Sequence, residues 1–128
     1  MSLGTETSPH VLVAEDEMPI AMMIQEALDE AGFRVTCAPD GLAALQESSR
    51  THFDVLLTDV RMPNLDGVGL VRHLRASRPN LPIVVLSGYM TNGDRQELLQ
   101  LGVPADSILE KPVTLGTLNN VLRRALTA

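Results

Sequence analysis

Short apolar runs at residues 11–14, 33–38, 55–57, 83–86 and 108–109 alternate with stretches patterned as helices. This alternation constrains the fold more than any other feature. The third and fourth runs are continuously apolar, as parallel strands covered on both faces are. Between the first two runs, Ile20, Met23, Ile24, Ala27 and Leu28 form one stripe at helical spacing, and Gly32 is a good stop beyond it. Asp40 is placed to cap a second helix with Leu42, Ala43 and Leu45, and Asp66 a third with Leu70, Val71 and Leu74, ahead of Pro79. A fourth starts at Asn92 or Asp94 and carries Leu98, Leu99 and Leu101 up to Gly102. Thr114 caps a fifth, with Leu115, Leu118, Leu122 and Leu126 in line. Five β-α units in series predict an α/β fold, (βα)5, with a doubly wound five-stranded parallel sheet and right-handed crossovers.

The chain has 128 residues, enough for one core and no second domain. Aromatic residues make up 2%, so the core falls to Leu, Val, Ile, Ala and Met. The net charge of −6 and the absence of a basic patch argue against direct nucleic-acid binding. Cys37 is the only cysteine, which excludes a disulfide framework and a cysteine metal cage; a small hydrophobe near a strand end is the expected reading. No apolar run approaches the ~20 residues of a membrane helix. Residues 1–9 are small and polar and read as a loose segment without a signal-peptide pattern, so the expected compartment is the cytoplasm and the expected domain is 10–127.

In such a sheet, chemistry gathers beyond the carboxyl ends of the strands. The first predicted strand ends in Glu15, Asp16 and Glu17, the third in Asp59, the fourth in Ser87-Gly88 and the fifth in Lys111-Pro112. Converging carboxylates stay ionised only if a cation or hydrogen bonds compensate them. Oxygen donors without His or Cys suit a hard ion such as Mg2+. A metal, a lysine and a hydroxyl around one carboxylate suit the stabilisation of phosphoryl oxygens, and a carboxylate can itself accept a phosphoryl group. Taken singly, each motif also has a plain structural reading, as helix-start acids, a capped turn or a strand terminus. The weight lies in their combination.

The segments Val11-Leu12-Val13-Ala14-Glu15-Asp16-Glu17, Leu57-Thr58-Asp59-Val60-Arg61-Met62-Pro63, Asp66-Gly67, Leu86-Ser87-Gly88 and Lys111-Pro112, in this order, resemble the receiver domain of bacterial two-component response regulators (CheY-like, a flavodoxin-like fold). The resemblance implies that Asp59 is the phosphoacceptor and that Asp16 is a direct Mg2+ ligand, with Glu15 acting through water. It implies that the backbone carbonyl of Arg61 completes the protein's metal ligands. Ser87 and Lys111 are then the hydroxyl and the lysine that meet the phosphoryl group, and the Lys111–Pro112 bond is cis. A histidine kinase or phosphotransfer protein is the implied donor, an output domain or effector the implied recipient, and phosphorylation-dependent homodimerisation is compatible with the family. The domain would catalyse only its own phosphorylation and slow dephosphorylation. The segments Leu86-Ser87-Gly88-Tyr89 and Leu109-Glu110-Lys111-Pro112-Val113-Thr114 lean toward the style of a hybrid histidine kinase.

Some positions depart from the family pattern. Ile108 stands where a Tyr or Phe switch is usual, Val113 stands where Phe is common, and the stretch from Leu101 to Ser107 carries Pro104. The β-branched Ile108 is stiff at its first torsion, which puts the aromatic readout of phosphorylation in question. Tyr89 and Arg61 flank the site and are expected to tune the phosphoryl lifetime. A flavodoxin-type electron carrier is disfavoured, because Glu15-Asp16-Glu17 would repel a flavin phosphate. A phosphatase with an aspartyl nucleophile is disfavoured because Arg61 occupies the position of its second Asp. The remaining alternative is a degenerate receiver acting as a phosphorylation-independent binding module.

Overall fold

The computed structural model describes residues 8–127, so most of the segment expected to be loose, 1–9, lies outside the described residues. The elements run β1 (His10–Ala14), α1 (Met18–Glu30), β2 (Arg34–Ala38), α2 (Gly41–Ser48), β3 (Val55–Thr58), α3 (Gly67–Ser77), β4 (Ile83–Ser87), α4 (Asn92–Gln100), a 3-10 turn (Ala105–Ser107), β5 (Ile108–Glu110) and α5 (Leu115–Thr127). All pairings are parallel and the strand order is β2-β1-β3-β4-β5. The predicted five-stranded doubly wound sheet is the one observed.

Side-chain alternation divides the core into two layers. Leu12, Leu56, Ile83 and Val85 pack with Ala44, Val68, Val71 and Leu98 of α2, α3 and α4. Val11, Val13, Val55, Leu57 and Leu86 pack with Ile24 and Leu28 of α1 and with Leu118 and Leu122 of α5. β3 and β4 are buried along their whole length, which is why their sequences are continuously apolar. β2 is an edge strand and only its last residue, Ala38, is buried, so Cys37 is exposed rather than packed.

The helix starts follow local chemistry. Asp40 accepts from the Ala43 N–H at 2.7 Å, and Asp66 from the Gly69 N–H at 2.8 Å. Thr114 Oγ1 accepts from the Thr117 N–H at 3.0 Å. Gly32 sits at φ +97° just past α1, as a helix stop requires. The fourth helix corrects the sequence reading: Thr91 is the N-cap, and it forms a reciprocal capping box with Asp94. On α1, Met23 belongs to the predicted stripe but is 60% exposed; Ala21, Ile24 and Leu28 form the buried face.

The strand order reverses between β1 and β3, which opens a crevice at their carboxyl ends. Register fixes what lines it. Ala14 pairs with Thr58, and the Asp59 N–H continues the ladder to the Ala14 carbonyl at 3.0 Å. The Glu15 N–H reaches the Ala38 carbonyl at 3.1 Å, and the Lys111 N–H reaches the Ser87 carbonyl at 2.9 Å.

Candidate functional site

The extended ladders bring together residues that are far apart in sequence. Glu15, Asp16 and Asp59 each offer an oxygen, and the three oxygens lie within 4.8 Å of one another. Glu15 and Asp59 are buried, whereas Asp16 is exposed at the mouth. Lys111 Nζ donates to Glu15 Oε1 and to Asp59 Oδ2, both at 3.0 Å. The other Asp59 oxygen accepts the Val60 N–H at 2.6 Å. A cavity of about 330 Å3 opens above, lined by Asp16, Glu17, Asp59, Arg61, Ser87, Gly88, Tyr89 and Lys111. The Lys111–Pro112 peptide is cis.

Burial is the largest influence on Glu15 and pushes its carboxyl up, against the hydrogen bonds from Lys111 and the Glu17 N–H. Burial pulls the Lys111 ammonium down, but its hydrogen bonds to Glu15 and Asp59 outweigh that and hold it above the ordinary lysine value. One ammonium thus faces three carboxylates. The surplus negative charge, presented by oxygen donors alone, fits a hard divalent cation.

The remaining predicted residues are close by. Ser87 is buried; its hydroxyl donates to the Tyr89 carbonyl at 2.8 Å and accepts from the Tyr89 N–H at 3.3 Å. Tyr89 is 65% exposed, and the Arg61 guanidinium lies 5.2 Å from its ring centroid. Ile108 lies in the core, 6% exposed, opposite Val85. It packs in the layer that holds Leu98 and Val103.

Two residues do more than the sequence pattern assigns them. In sequence, Gly67 is simply part of a matching segment. A Cβ there would fall 1.9 Å from the Asp59 carbonyl oxygen, and its own N–H donates to the Val60 carbonyl at 2.8 Å. Only glycine lets α3 begin this close to the end of β3. In sequence, Asp94 is a candidate helix start, and in the structure its carboxylate also holds Arg61 Nη2 at 3.1 Å. The Thr91-x-x-Asp94 spacing carries the signal for the cap, but nothing in sequence predicts the partner 33 residues away.

Comparison with known proteins agrees with this geometry. The family model described as the response regulator receiver domain matches residues 11–123. The transcriptional regulatory protein PrrA of Mycobacterium leprae is 38% identical over 112 residues, covering 88% of this chain and 47% of that protein. The sensor protein EvgS of Escherichia coli is 37% identical over 112 residues, which is 88% of this chain but 9% of that protein. The chain therefore spans less than half the length of these relatives. Among solved structures, the receiver domain of sensor histidine kinase PA1611 from Pseudomonas aeruginosa superposes with a TM-score of 0.83 at 31% identity, covering 95% of this chain and all of that one. Its magnesium ion is coordinated in the active-site cleft of that protein. This chain belongs to the response regulator receiver domain family, the receiver module of two-component signalling. Among the described residues no helix is long and apolar enough to cross a membrane.

Proposed function

We propose that Asp59 accepts a phosphoryl group from the phosphohistidine of a histidine kinase or phosphotransfer protein, in a Mg2+-dependent reaction. The observation that carries this reading is the setting of Asp59, 7% exposed at the end of β3, with Lys111 at 3.0 Å and the Glu15 and Asp16 oxygens within 4.8 Å. Asp16, Asp59 and the Arg61 carbonyl would hold the ion, with Glu15 acting through water. When bound, Mg2+ supplies charge neutralisation for the phosphoryl oxygens and offsets the crowded carboxylates.

The chain's own residues do the rest. An Asp59 oxygen attacks phosphorus in line; the P–O bond forms as the P–N bond to the donor imidazole breaks, and the imidazole leaves with the bonding pair. Lys111, already on Asp59 Oδ2, pairs with the incoming phosphoryl oxygens. Ser87 releases the Tyr89 carbonyl and donates to the phosphoryl group instead. Local rebonding of this kind biases a two-state loop, here the one between β4 and α4. Hydrolysis of the acyl phosphate resets the domain, and Arg61 and Tyr89, which line the cavity, tune its rate.

The domain, residues 10–127, acts on this reading as a cytoplasmic phosphoacceptor rather than as an enzyme with turnover on other molecules. Its output lies in an attached or separate effector, and phosphorylation-dependent homodimerisation is one form that output takes in a receiver. A binding module that ignores phosphate is not favoured, because Asp59, Ser87, Lys111 and the acidic set are all present around one cavity.

The test is incubation with Mg2+ and acetyl phosphate followed by mass spectrometry. The wild type is expected to gain one phosphoryl group and Asp59→Asn none. No adduct on the wild type, or an equal adduct on the variant, sinks the reading.

A further inference from the structure

Ile108 is buried in the core, and the Arg61–Asp94 contact offers a separate route from the acceptor to α4. Arg61 lies two residues past Asp59, in the loop between β3 and α3, and it lines the cavity over the acceptor. Its guanidinium is held from two sides, by Asp94 Oδ2 at 3.1 Å and by the Tyr89 ring at 5.2 Å. Asp94 Oδ2 carries a second donor, the Thr91 N–H at 3.0 Å, while Thr91 Oγ1 accepts from the Asp94 N–H at 3.0 Å. The oxygen that closes the first turn of α4 is therefore the oxygen that holds Arg61.

We propose that Asp94 is a positioning residue, which holds the Arg61 guanidinium away from the acceptor in the resting domain and releases it when Asp59 is phosphorylated. The inference rests on Asp59 being the acceptor, as proposed above. The Arg61 side chain is 50% exposed and that of Asp94 21%, so their ion pair is of the weak, solvent-screened kind. A phosphoryl group brings about two negative charges and three acceptor oxygens. Arginine binds such a group through two parallel hydrogen bonds, more strongly than it binds a single carboxylate oxygen at a surface. Phosphorylation thus favours the exchange, and the favoured state has an effect at a distance. With Arg61 on the phosphoryl group, the tie between the β3–α3 loop and α4 is broken, while the capping box stays closed through Thr91. Arg61 then also covers the side from which water must approach phosphorus.

The experiment is a double-mutant cycle on the decay of the Asp59 adduct after acetyl phosphate is removed, using wild type, Asp94→Asn, Arg61→Ala and the double variant. Asparagine keeps an acceptor for the Thr91 N–H but loses the charge that competes for Arg61. Asp94→Asn is expected to slow decay roughly two- to fivefold, the range an exposed ion pair supports. In the Arg61→Ala background the same substitution is expected to change nothing. Decay unaffected by Asp94→Asn, or slowed equally without Arg61, overturns the proposal.

A second readout is one that a merely structural cap would not give. The Thr91 amide resonance is expected to move further on phosphorylation in the wild type than in Arg61→Ala, where only the rebonding of Ser87 acts on the β4–α4 loop; an equal movement in both also overturns it. A normal adduct on all variants with unchanged decay sinks only the role of Asp94. A wild type that takes up no phosphoryl group sinks the acceptor assignment and this proposal with it.

Discussion

At the amino end of the sheet, charge is used to close loops. Arg75 Nε donates to the Leu101 carbonyl at 2.7 Å, and its Nη1 donates to the carbonyls of Pro79 at 2.9 Å and Leu81 at 2.8 Å. Arg78 donates to the Phe53 carbonyl at 3.1 Å with its guanidinium 4.5 Å from the Phe53 ring centroid, and Asp54 accepts the His10 N–H at 2.8 Å. Arg75, Arg78 and Asp54 each meet backbone that the strand and helix ends would otherwise leave unpaired. At the carboxyl end, three carboxylates face one lysine, and among the described residues only the Val60 and Glu17 N–H groups add hydrogen bonds to them. The same kinds of residue thus stabilise one end and leave the other in electrostatic deficit. The deficit is where a cation and a phosphoryl group have something to gain.

Removing a carboxylate from the deficit end should break the comparison most visibly. Asp16→Ala is expected to lower phosphoryl uptake from acetyl phosphate by a hundredfold or so, since a bound ion supplies several kcal/mol of charge stabilisation. The chain has one tyrosine and no tryptophan, so Tyr89 emission reports on the site directly. Mg2+ titration should change that emission in the wild type and not in Asp16→Ala; a variant whose emission responds to Mg2+ as the wild type's does would remove Asp16 from the metal site. Gly67→Ala strikes the same end through packing. Its methyl would meet the Asp59 carbonyl, so a stability loss of about 3 kcal/mol is expected in urea denaturation, together with impaired phosphorylation. Wild-type stability would show that α3 can shift away from β3 without cost.

What was legible in sequence follows from which interactions are local. Strands buried on both faces, such as β3 and β4, advertise themselves as apolar runs, and Asp40, Asp66 and Thr114 cap helices through residues only three positions away. The convergence of Glu15, Asp16, Asp59, Ser87 and Lys111 was legible because parallel strands send all their carboxyl ends to one side. Illegible were the contacts set by packing distance. The exposure of Met23 depends on where α1 lies against α5 and the sheet, and the fit of Gly67 on the approach of α3 to β3. The pairing of Arg61 with Asp94 needs the β3–α3 loop to meet the first turn of α4, and no periodicity encodes that.

Arg75 tests the stabilising end. Arg75→Ala leaves the Leu101, Pro79 and Leu81 carbonyls without their donor, each held at 2.9 Å or less. A loss of about 2 kcal/mol is expected from such stranded acceptors. Phosphoryl uptake and the Tyr89 response to Mg2+ are expected to match the wild type. A variant that keeps its stability, or loses uptake while folded, would show that the two ends do not divide stability and function in this way.

The smallest effect concerns His10, at the start of β1. Its ring Nε2 lies 2.7 Å from Thr36 Oγ1. Burial, and then the positive charge of Arg34, push its pKa below the ordinary value of 6.5. The unfolded chain therefore binds this proton more readily than the folded one, and stability rises with pH wherever the unfolded state holds more protons. Well above 6.5 both states are neutral at this position and the group contributes no pH dependence. As pH falls from there through the folded-state value, protonation favours the unfolded chain and stability is lost. His10→Gln keeps a polar side chain near Thr36 but cannot titrate, so its denaturation midpoint should fall less steeply between about pH 7 and pH 5 than that of the wild type. Equal slopes would mean that burial of His10 against the positive charge of Arg34 does not set how stability falls in this range.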